Sequence, residues 1–243
     1  MTAIDSARAI VDAALSEFAG SLAVLTSFQR EGMVVADLVL QADGSIPVMT
    51  IDTGRLPEST LAVISAFEDR YKVTVERILP DPMEVNAMVE AHGRDLFYND
   101  VALRRLCCNV RKVRPLARRM VNVAGYFTGL RRGQSESRAN VDFFDRAASP
   151  VKISPLADWS AADVSRYIQE RGLPEHPLYA AGYTSIGCDP CTRATLPGED
   201  ERAGRWWWEN DAAKECGLHF TADGKMERTV DVLLRDILTK AHV

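Results

Sequence analysis

Short apolar segments alternate with helical segments near the start of the chain, and this alternation constrains the fold most strongly. Leu22–Leu25, Val48–Ile51 and Val73–Ile78 are predicted to be strands. Residues 33–40 and 57–70, which lie between them, are predicted to be helical. Strands that alternate with helices form a mostly parallel sheet flanked by helices, so the sequence predicts an α/β fold.

Two strand ends and one polar loop carry candidate ligand-binding residues. Ser27 and Asp52 follow the first two predicted strands, and ligands of parallel sheets bind beyond the carboxyl ends of the strands. Asp52 either holds a ribose or caps its own loop. A further predicted strand, Ala124–Thr128, leads into a polar loop whose arginines indicate an anionic ligand, namely Arg131, Arg132 and Arg138.

Three more helices are predicted outside this region. Residues 4–18 carry apolar side chains on one helical face, which differs from the continuous apolar run of a signal peptide. Ser160 is predicted to cap a helix over Ala161–Arg171. Glu227–Ala241 has one apolar stripe, which packs either against its own core or in a dimer.

The composition bounds the class of protein. The chain has 34 acidic and 29 basic residues, a net charge of −5 and 47% apolar residues, which is typical of globular proteins. We therefore expect a cytoplasmic protein with no membrane or nucleic-acid partner, and homo-oligomers stay open. One domain over residues 1–195 is expected to carry the ligand sites, and residues 196–243 to form a mobile C-terminal segment of the same domain.

The five cysteines fall into three groups. Cys107 and Cys108 are adjacent, Cys188 and Cys191 form a C-x-x-C, and Cys216 stands alone in a polar segment. Adjacent cysteines on a helix diverge by about 100°, which strains a single tetrahedral ion but suits a larger cluster. The first four cysteines therefore favour a [4Fe–4S] cluster over all-thiolate zinc, whereas Cys216 has the context of a nucleophile. The alternative is that the adjacent pair is simply buried and the C-x-x-C spacing is accidental.

Cationic residues accompany these cysteines. A basic run over residues 104–119 surrounds the cysteine pair and includes Lys112. Such a run stabilises an anionic thiolate cluster and can hold an anionic ligand beside it, and nucleic-acid binding is the competing interpretation. Arg202 and Arg205 precede three tryptophans, of which Trp206 is the candidate for substrate contact.

Six motifs, taken in order, resemble the adenylyl-sulfate and phosphoadenylyl-sulfate reductases, specifically the iron–sulfur type. They extend through most of the chain, and their order and spacing together are highly specific. The motifs are Ile51–Glu58, Cys107–Pro115, Thr128–Ser135, Gly182–Thr192, Arg205–Glu209 and Lys214–His219.

The resemblance implies an α/β fold related to the PP-loop ATP pyrophosphatases, also called adenine nucleotide α-hydrolase-like. It also implies a [4Fe–4S] cluster on Cys107, Cys108, Cys188 and Cys191. Cys216 would attack the sulfur of adenosine 5′-phosphosulfate (APS), release AMP and become a cysteine S-sulfonate. A separate thioredoxin or glutaredoxin would then release sulfite, as in assimilatory sulfate reduction and cysteine biosynthesis.

Three alternatives remain at this stage. A reductase that uses the 3′-phosphorylated nucleotide (PAPS), or both nucleotides, would share the same motifs. A PP-loop tRNA thiolase would need an ATP-cleaving Ser-Gly-Gly-x-Asp-Ser loop, and this chain instead has Ser27–Met33. A non-catalytic iron–sulfur or zinc module would have no use for Cys216.

Overall fold

The computed structural model describes residues 2–135, 138–209 and 224–241, and it confirms the predicted α/β class. Six strands form one sheet in the order β3-β2-β1-β4-β6-β5, and all neighbouring pairs are parallel except β5 with β6. The strands are β1 (Leu22–Leu25), β2 (Val48–Ile51), β3 (Glu76–Ile78), β4 (Gly125–Phe127), β5 (Phe144–Asp145) and β6 (Val151–Ile153).

Helices connect and cover these strands. In none of the described ranges is a helix long and apolar enough to cross a membrane. The helices are α1 (Ala3–Glu17), α2 (Arg30–Ala42), α3 (Glu58–Tyr71), α4 (Pro82–His92), α5 (Val101–Cys108), α6 (Arg114–Arg119), α7 (Ala161–Arg171) and α8 (Gly224–Ala241).

The predicted element boundaries agree well where local signals are strong. β1, β2 and α7 have the predicted limits, and Ser160 caps α7 by accepting a hydrogen bond from the backbone N–H of Asp163. β3 is shorter than predicted, because the Val75 N–H donates to the Glu68 side chain at 2.8 Å instead of to a neighbouring strand. β4 is one residue shorter at each end.

The order of the strands creates a crevice at the centre of the sheet. The chain runs from β1 outward to β2 and β3, and then returns to the other side of β1 as β4. Loops that leave β1 and β4 therefore diverge at their carboxyl ends, where open α/β sheets bind ligands. The main core lies beneath this edge and includes Val24, Val48, Phe67, Phe127 and Ile153, all buried.

A second apolar cluster lies beside the cysteines. It joins residues of α4 and α5 to the four cysteines at 107, 108, 188 and 191. α8 packs on α4 and α5, with Ile237 0% and Ala241 2% exposed. The C-terminal helix thus packs against its own chain.

Candidate functional site

A cavity of about 300 Å³ opens at the carboxyl ends of β1, β2 and β4. Residues after each strand line it, and so do parts of the segment over residues 184–206. Of the residues singled out in the sequence, seven contribute to its lining: Ser27, Lys112, Arg138, Cys188, Arg202, Arg205 and Trp206. The fold thus brings together residues from distant parts of the chain.

The loop between β1 and α2 has a fixed and strained conformation. Phe28 has a φ of 57°, in the left-handed region that an aromatic residue rarely adopts. Its N–H donates to the Thr26 hydroxyl at 2.9 Å, and its ring packs edge-on against Phe67 at 5.2 Å between ring centroids. Such strain costs roughly 1–3 kcal/mol, and it persists only where the surroundings hold it.

Two glycines allow close backbone approach beside this loop. A Cβ on Gly129, which follows β4, would lie 2.8 Å from the backbone of Glu31 and Gly32 in the first turn of α2. A Cβ on Gly32 would overlap the Thr26 hydroxyl. The start of α2 is thereby held against the loop after β4, at the crevice between β1 and β4.

Four buried thiols line a second, smaller cavity of about 20 Å³ next to the first. Cys107 and Cys108 end α5, and a π-helical turn over Asn109–Val113 follows them. Pro115 lacks the N–H that would continue α-helical bonding, and the Arg114 N–H bonds instead to the Asn109 carbonyl. This wider turn carries Lys112, which lines both cavities.

The C-x-x-C occupies a single 3-10 turn opposite that helix end. Its turn, Asp189–Cys191, is held by the Asp189 N–H, which donates to the Arg55 carbonyl at 2.8 Å. The Tyr98 hydroxyl donates to the Pro190 carbonyl at 2.8 Å. The two bonds anchor the motif to the loop after β2 and to the segment before α5.

The four thiols differ in their electrostatic surroundings. Burial, followed by the charge of Cys108, raises the pKa of Cys107 to about 12. Burial alone would also raise the pKa of Cys188. The charge of Lys112, the hydrogen bond with Thr53 and the charge of Arg205 outweigh burial, so the pKa of Cys188 is lowered. The Thr53 hydroxyl lies 3.2 Å from the Cys188 sulfur. Lys112 and Arg205, which both line the larger cavity, therefore favour the thiolate form of Cys188.

All four thiols line the same small cavity. Within the described ranges, no group of three or more His, Cys, Asp or Glu side chains is arranged to hold a single metal ion. Two residues that line the cysteine cavity carry a buried N–H group with no acceptor among the described residues, namely the Nε of Arg111 and the indole Nε1 of Trp206.

Trp206 forms the wall between the two cavities. It is 1% exposed and has a φ of 43°, and the guanidinium carbons of Arg104 and Arg205 lie 4.5 and 4.8 Å from its ring. Arg104 is completely buried and donates two hydrogen bonds, at 2.8 and 2.9 Å, to Glu209. Burial alone would lower the pKa of Arg104. Its interactions with Glu209 and Cys108 outweigh burial and raise the pKa, so the guanidinium stays charged.

The absence of a side chain at Gly187 leaves the space that the Arg205 guanidinium occupies. A Cβ at this glycine would overlap that guanidinium, whose Nη1 would lie only 2.9 Å away. Arg205 is 6% exposed, and its hydrogen-bond acceptors among the described residues, the Ser185 hydroxyl and the Ile186 carbonyl, are at 3.5 and 3.4 Å. These are weak hydrogen bonds, and the Arg205 side chain also lines the larger cavity.

Some predicted site residues lie outside the cavity lining. Asp52 accepts a hydrogen bond from the Gly54 N–H at 2.9 Å, which is the loop-capping role. Arg131 is 3% exposed and donates to Glu31 at 2.7 and 2.9 Å. Arg132 donates to the Val141 carbonyl at 2.8 Å and pairs with Asp158. These three side chains bind other parts of the protein, and their roles as substrate ligands stay predictions.

Cys216 lies outside the described residues. Arg138 lines the larger cavity, and its guanidinium donates a hydrogen bond of 2.6 Å to the Gln134 side chain. Sequence reasoning missed several residues that line the larger cavity: Gln29, Glu31, Thr53, Thr60, Gln134 and Glu201. Thr53 and Gln134 lie inside motifs that the sequence analysis had already identified. Glu201 has no such signal: burial and the nearby charge of Glu31 raise its pKa, and both arise only when the chain is folded.

Comparisons with known proteins agree with this geometry. The phosphoadenosine phosphosulfate reductase domain family matches residues 21–194. A protein from Rhizobium meliloti named adenosine 5′-phosphosulfate reductase is 42% identical over 215 residues, covering 84% of this chain and 81% of that protein. A protein of the same name from Allochromatium vinosum is 45% identical over 201 residues, covering 82% of this chain and 78% of that protein.

Solved structures show the same architecture. A phosphoadenylyl-sulfate reductase from Candida auris, in a phosphate complex, is 25% identical with a TM-score of 0.64, covering 76% of this chain and 89% of that one. An FMN adenylyltransferase from Candida glabrata shares the fold, with 14% identity, a TM-score of 0.58, and coverage of 93% and 80%. The extent of the family match and the identity of the relatives show that this chain belongs to the phosphoadenosine phosphosulfate reductase family.

Proposed function

We propose that this chain reduces adenosine 5′-phosphosulfate to sulfite and AMP. As a family member it is an oxidoreductase that acts on sulfur, and relatives of 42% and 45% identity carry the name of that activity. One observation carries the proposal: a cavity at the switch point of the sheet is lined by Lys112 and Arg205 and shares a wall with four buried thiols. Such a cavity suits a nucleotide with an anionic phosphosulfate group.

A [4Fe–4S] cluster is the proposed occupant of the cysteine cavity. Four buried thiols and no other donor type suit an iron–sulfur cube, in which each thiolate binds a different iron, so the thiols need not converge on one point. The Arg111 and Trp206 N–H groups without protein acceptors are donors that cluster or thiolate sulfur can accept. When bound, the cluster supplies an anionic charge field and a rigid anchor beside the substrate.

Cys216 is the proposed nucleophile. Its thiolate attacks the sulfur of the bound phosphosulfate, a sulfur–sulfur bond forms, and the bond from that sulfur to the bridging oxygen breaks. AMP leaves with the bridging oxygen, and Cys216 becomes an S-sulfonate. In the proposed arrangement, residues 1–195 hold the cluster and most of the nucleotide site, while the segment over residues 196–243 adds Arg205 to that site and brings the nucleophile.

A dithiol protein of the thioredoxin or glutaredoxin type is the proposed electron donor. One of its thiolates attacks the Cys216 sulfur, so sulfite leaves and a mixed disulfide forms. Its second thiol resolves that disulfide and regenerates the Cys216 thiol. The two thiols supply the two electrons that reduce the sulfur, and the assimilation of sulfate into cysteine in the cytoplasm is the proposed setting.

Lys112 and Arg205 are the proposed ligands of the phosphosulfate. Both line the substrate cavity, and both affect the charge of Cys188. A cation between the thiolates and the substrate offsets their repulsion. Replacing Lys112 by Ala is therefore expected to slow S-sulfonate formation while leaving the cluster absorbance unchanged, and an unaltered rate would contradict this role.

Turnover with each nucleotide tests the proposed function. Anaerobic protein, reduced thioredoxin and APS should give sulfite and AMP in equal amounts, and omission of thioredoxin should stop the reaction after one turnover. Preference for PAPS would keep the mechanism but change the substrate. Absence of sulfite with both nucleotides would contradict the proposal.

A further inference from the structure

We propose that Gln29 is a positioning residue that directs the hydroxyl proton of Ser27 toward a phosphoryl oxygen of the bound nucleotide. This inference rests on the proposed nucleotide site. It starts from two hydrogen bonds of the Gln29 side chain, which tie the loop after β1 to the loop that precedes Cys188.

The orientation of the Gln29 amide is determined by its first partner. The backbone N–H of Ile186 lies 2.8 Å from the amide oxygen of Gln29. A backbone N–H can only donate, so the atom that faces it must be the oxygen. Ile186 is 5% exposed, which means that water does not replace this bond readily. The amide nitrogen of Gln29 must therefore point the other way.

The amide nitrogen then fixes the direction of the Ser27 proton. It lies 2.9 Å from the Ser27 oxygen, and because an amide nitrogen can only donate, Ser27 accepts this bond. The hydroxyl proton of Ser27 must point elsewhere, and within the described part of the chain no protein acceptor receives it. Ser27 is exposed and lines the cavity. Its O–H is thus left as a donor to whatever occupies the cavity.

The surroundings favour an anionic acceptor. Ser27 lies three residues before the start of α2, a helix of 13 residues whose first turn lines the same cavity, and a helix N-terminus attracts negative charge. The carboxylate of Glu31 in that turn is held in its ion pair with Arg131. Lys112 and Arg205 add positive charge to the cavity. A phosphoryl oxygen is the group of the nucleotide that fits these donors.

The strained backbone of Phe28 keeps the side chains of Ser27 and Gln29 in contact. Its left-handed conformation allows the side chains on either side of it, Ser27 and Gln29, to meet at 2.9 Å. The buried ring of Phe28 anchors this conformation against Phe67. The donor is therefore positioned before the nucleotide binds, so little conformational entropy is lost on binding.

The substitution Gln29→Glu separates this role from simple packing. A carboxylate still accepts from the Ile186 N–H, but its second oxygen is an acceptor and draws the Ser27 proton away from the cavity. Binding of AMP and of adenosine to the anaerobic holoprotein, measured by calorimetry, reports the phosphoryl contact directly. Gln169→Glu on the exposed face of α7 is the matched control for the added charge.

We expect Ser27→Ala and Gln29→Glu each to weaken AMP about tenfold or more, the loss expected for one hydrogen bond to a charged group. Adenosine binding and the Gln169→Glu control should stay unchanged. In the Ser27→Ala background, Gln29→Glu should cost clearly less than in the wild type, because the two changes remove the same bond.

Two results would overturn the inference while the proposed function survives. Either AMP binds Gln29→Glu as tightly as the wild type, or the Gln29→Glu loss is equally large with and without Ser27. If the wild-type protein does not bind AMP, the proposed nucleotide site fails, and this inference fails with it.

Discussion

The substitution Gly187→Ala is expected to impair substrate binding through a residue that it does not replace. The new methyl group would occupy the position of the Arg205 guanidinium. The end of a flexible arginine side chain can move aside, so the fold should tolerate the change. The guanidinium would then leave the wall that it shares with Ser185 and Trp206.

The expected loss of substrate affinity follows from the hydrogen bonds that the Arg205 guanidinium can donate. Its protein hydrogen bonds are long, at 3.4 and 3.5 Å, so its strong interactions are reserved for the anion. A hydrogen bond to a charged group contributes about 1.5–3 kcal/mol, so loss of one raises the KM for APS or the Kd for AMP about 10- to 150-fold. Arg205→Ala should show a loss of the same order.

The double variant gives the decisive comparison. If Gly187→Ala acts by displacing Arg205, it should add little in the Arg205→Ala background, because the group that it displaces is already absent. Cluster absorbance serves as the control, since Gly187 precedes a cysteine of the proposed cluster. Normal substrate affinity of Gly187→Ala, or full additivity in the double variant, would refute this reasoning.

Three further predictions concern stability, each measured by anaerobic thermal unfolding. Glu209→Gln removes the charged partner of the buried Arg104 and should cost about 3–5 kcal/mol, and an unchanged melting temperature would contradict the importance of this pair. Trp206→Ala should cost about 3–5 kcal/mol, whereas Trp207→Ala, at a position 47% exposed, should cost less than about 1 kcal/mol; equal losses would be inconsistent with their burial. Burial lowers the pKa of His176 below its usual 6.5, so on acidification the unfolded chain takes up the proton first and stability falls below about pH 6.5. His176→Gln should flatten that decline, and parallel pH profiles would argue against it.

The parallel sheet and the cysteine site could be predicted because their signals are local. β1 and β2 are short apolar runs, and α7 has its own capping residue, Ser160, and an apolar periodicity, so all three have the predicted limits. The cysteine pair and the C-x-x-C are recognisable without any knowledge of the fold. Their arrangement around one cavity was implied by the resemblance, and the structure brings all four together.

The roles of individual arginines could not be predicted, because they depend on distant partners. Arg131, Arg132 and Arg138 share one polar loop, and their sequence context does not distinguish them. Arg131 pairs with Glu31, which is 100 residues away, and only Arg138 among the three reaches the cavity. The buried pair of Arg104 with Glu209 joins residues 105 positions apart in the same way.

Gln29 shows a different limit of sequence analysis. Its side chain meets Ser27 because Phe28 adopts a backbone conformation that aromatic residues rarely have. Neither composition nor spacing indicates such a conformation, since it is stabilised by the packing of Phe28 on Phe67. The contact with Ile186 likewise exists only once the chain is folded.

Intact mass of the protein after treatment with APS in the absence of any reductant tests the proposed mechanism most directly. The wild type should gain the mass of one SO₃ group, and reduced thioredoxin should remove it with release of sulfite. Cys216→Ser should gain no mass, because it removes the proposed nucleophile while leaving the four proposed cluster ligands in place. An adduct that persists in Cys216→Ser, or no adduct on the wild type, would contradict the assignment of Cys216 as the nucleophile.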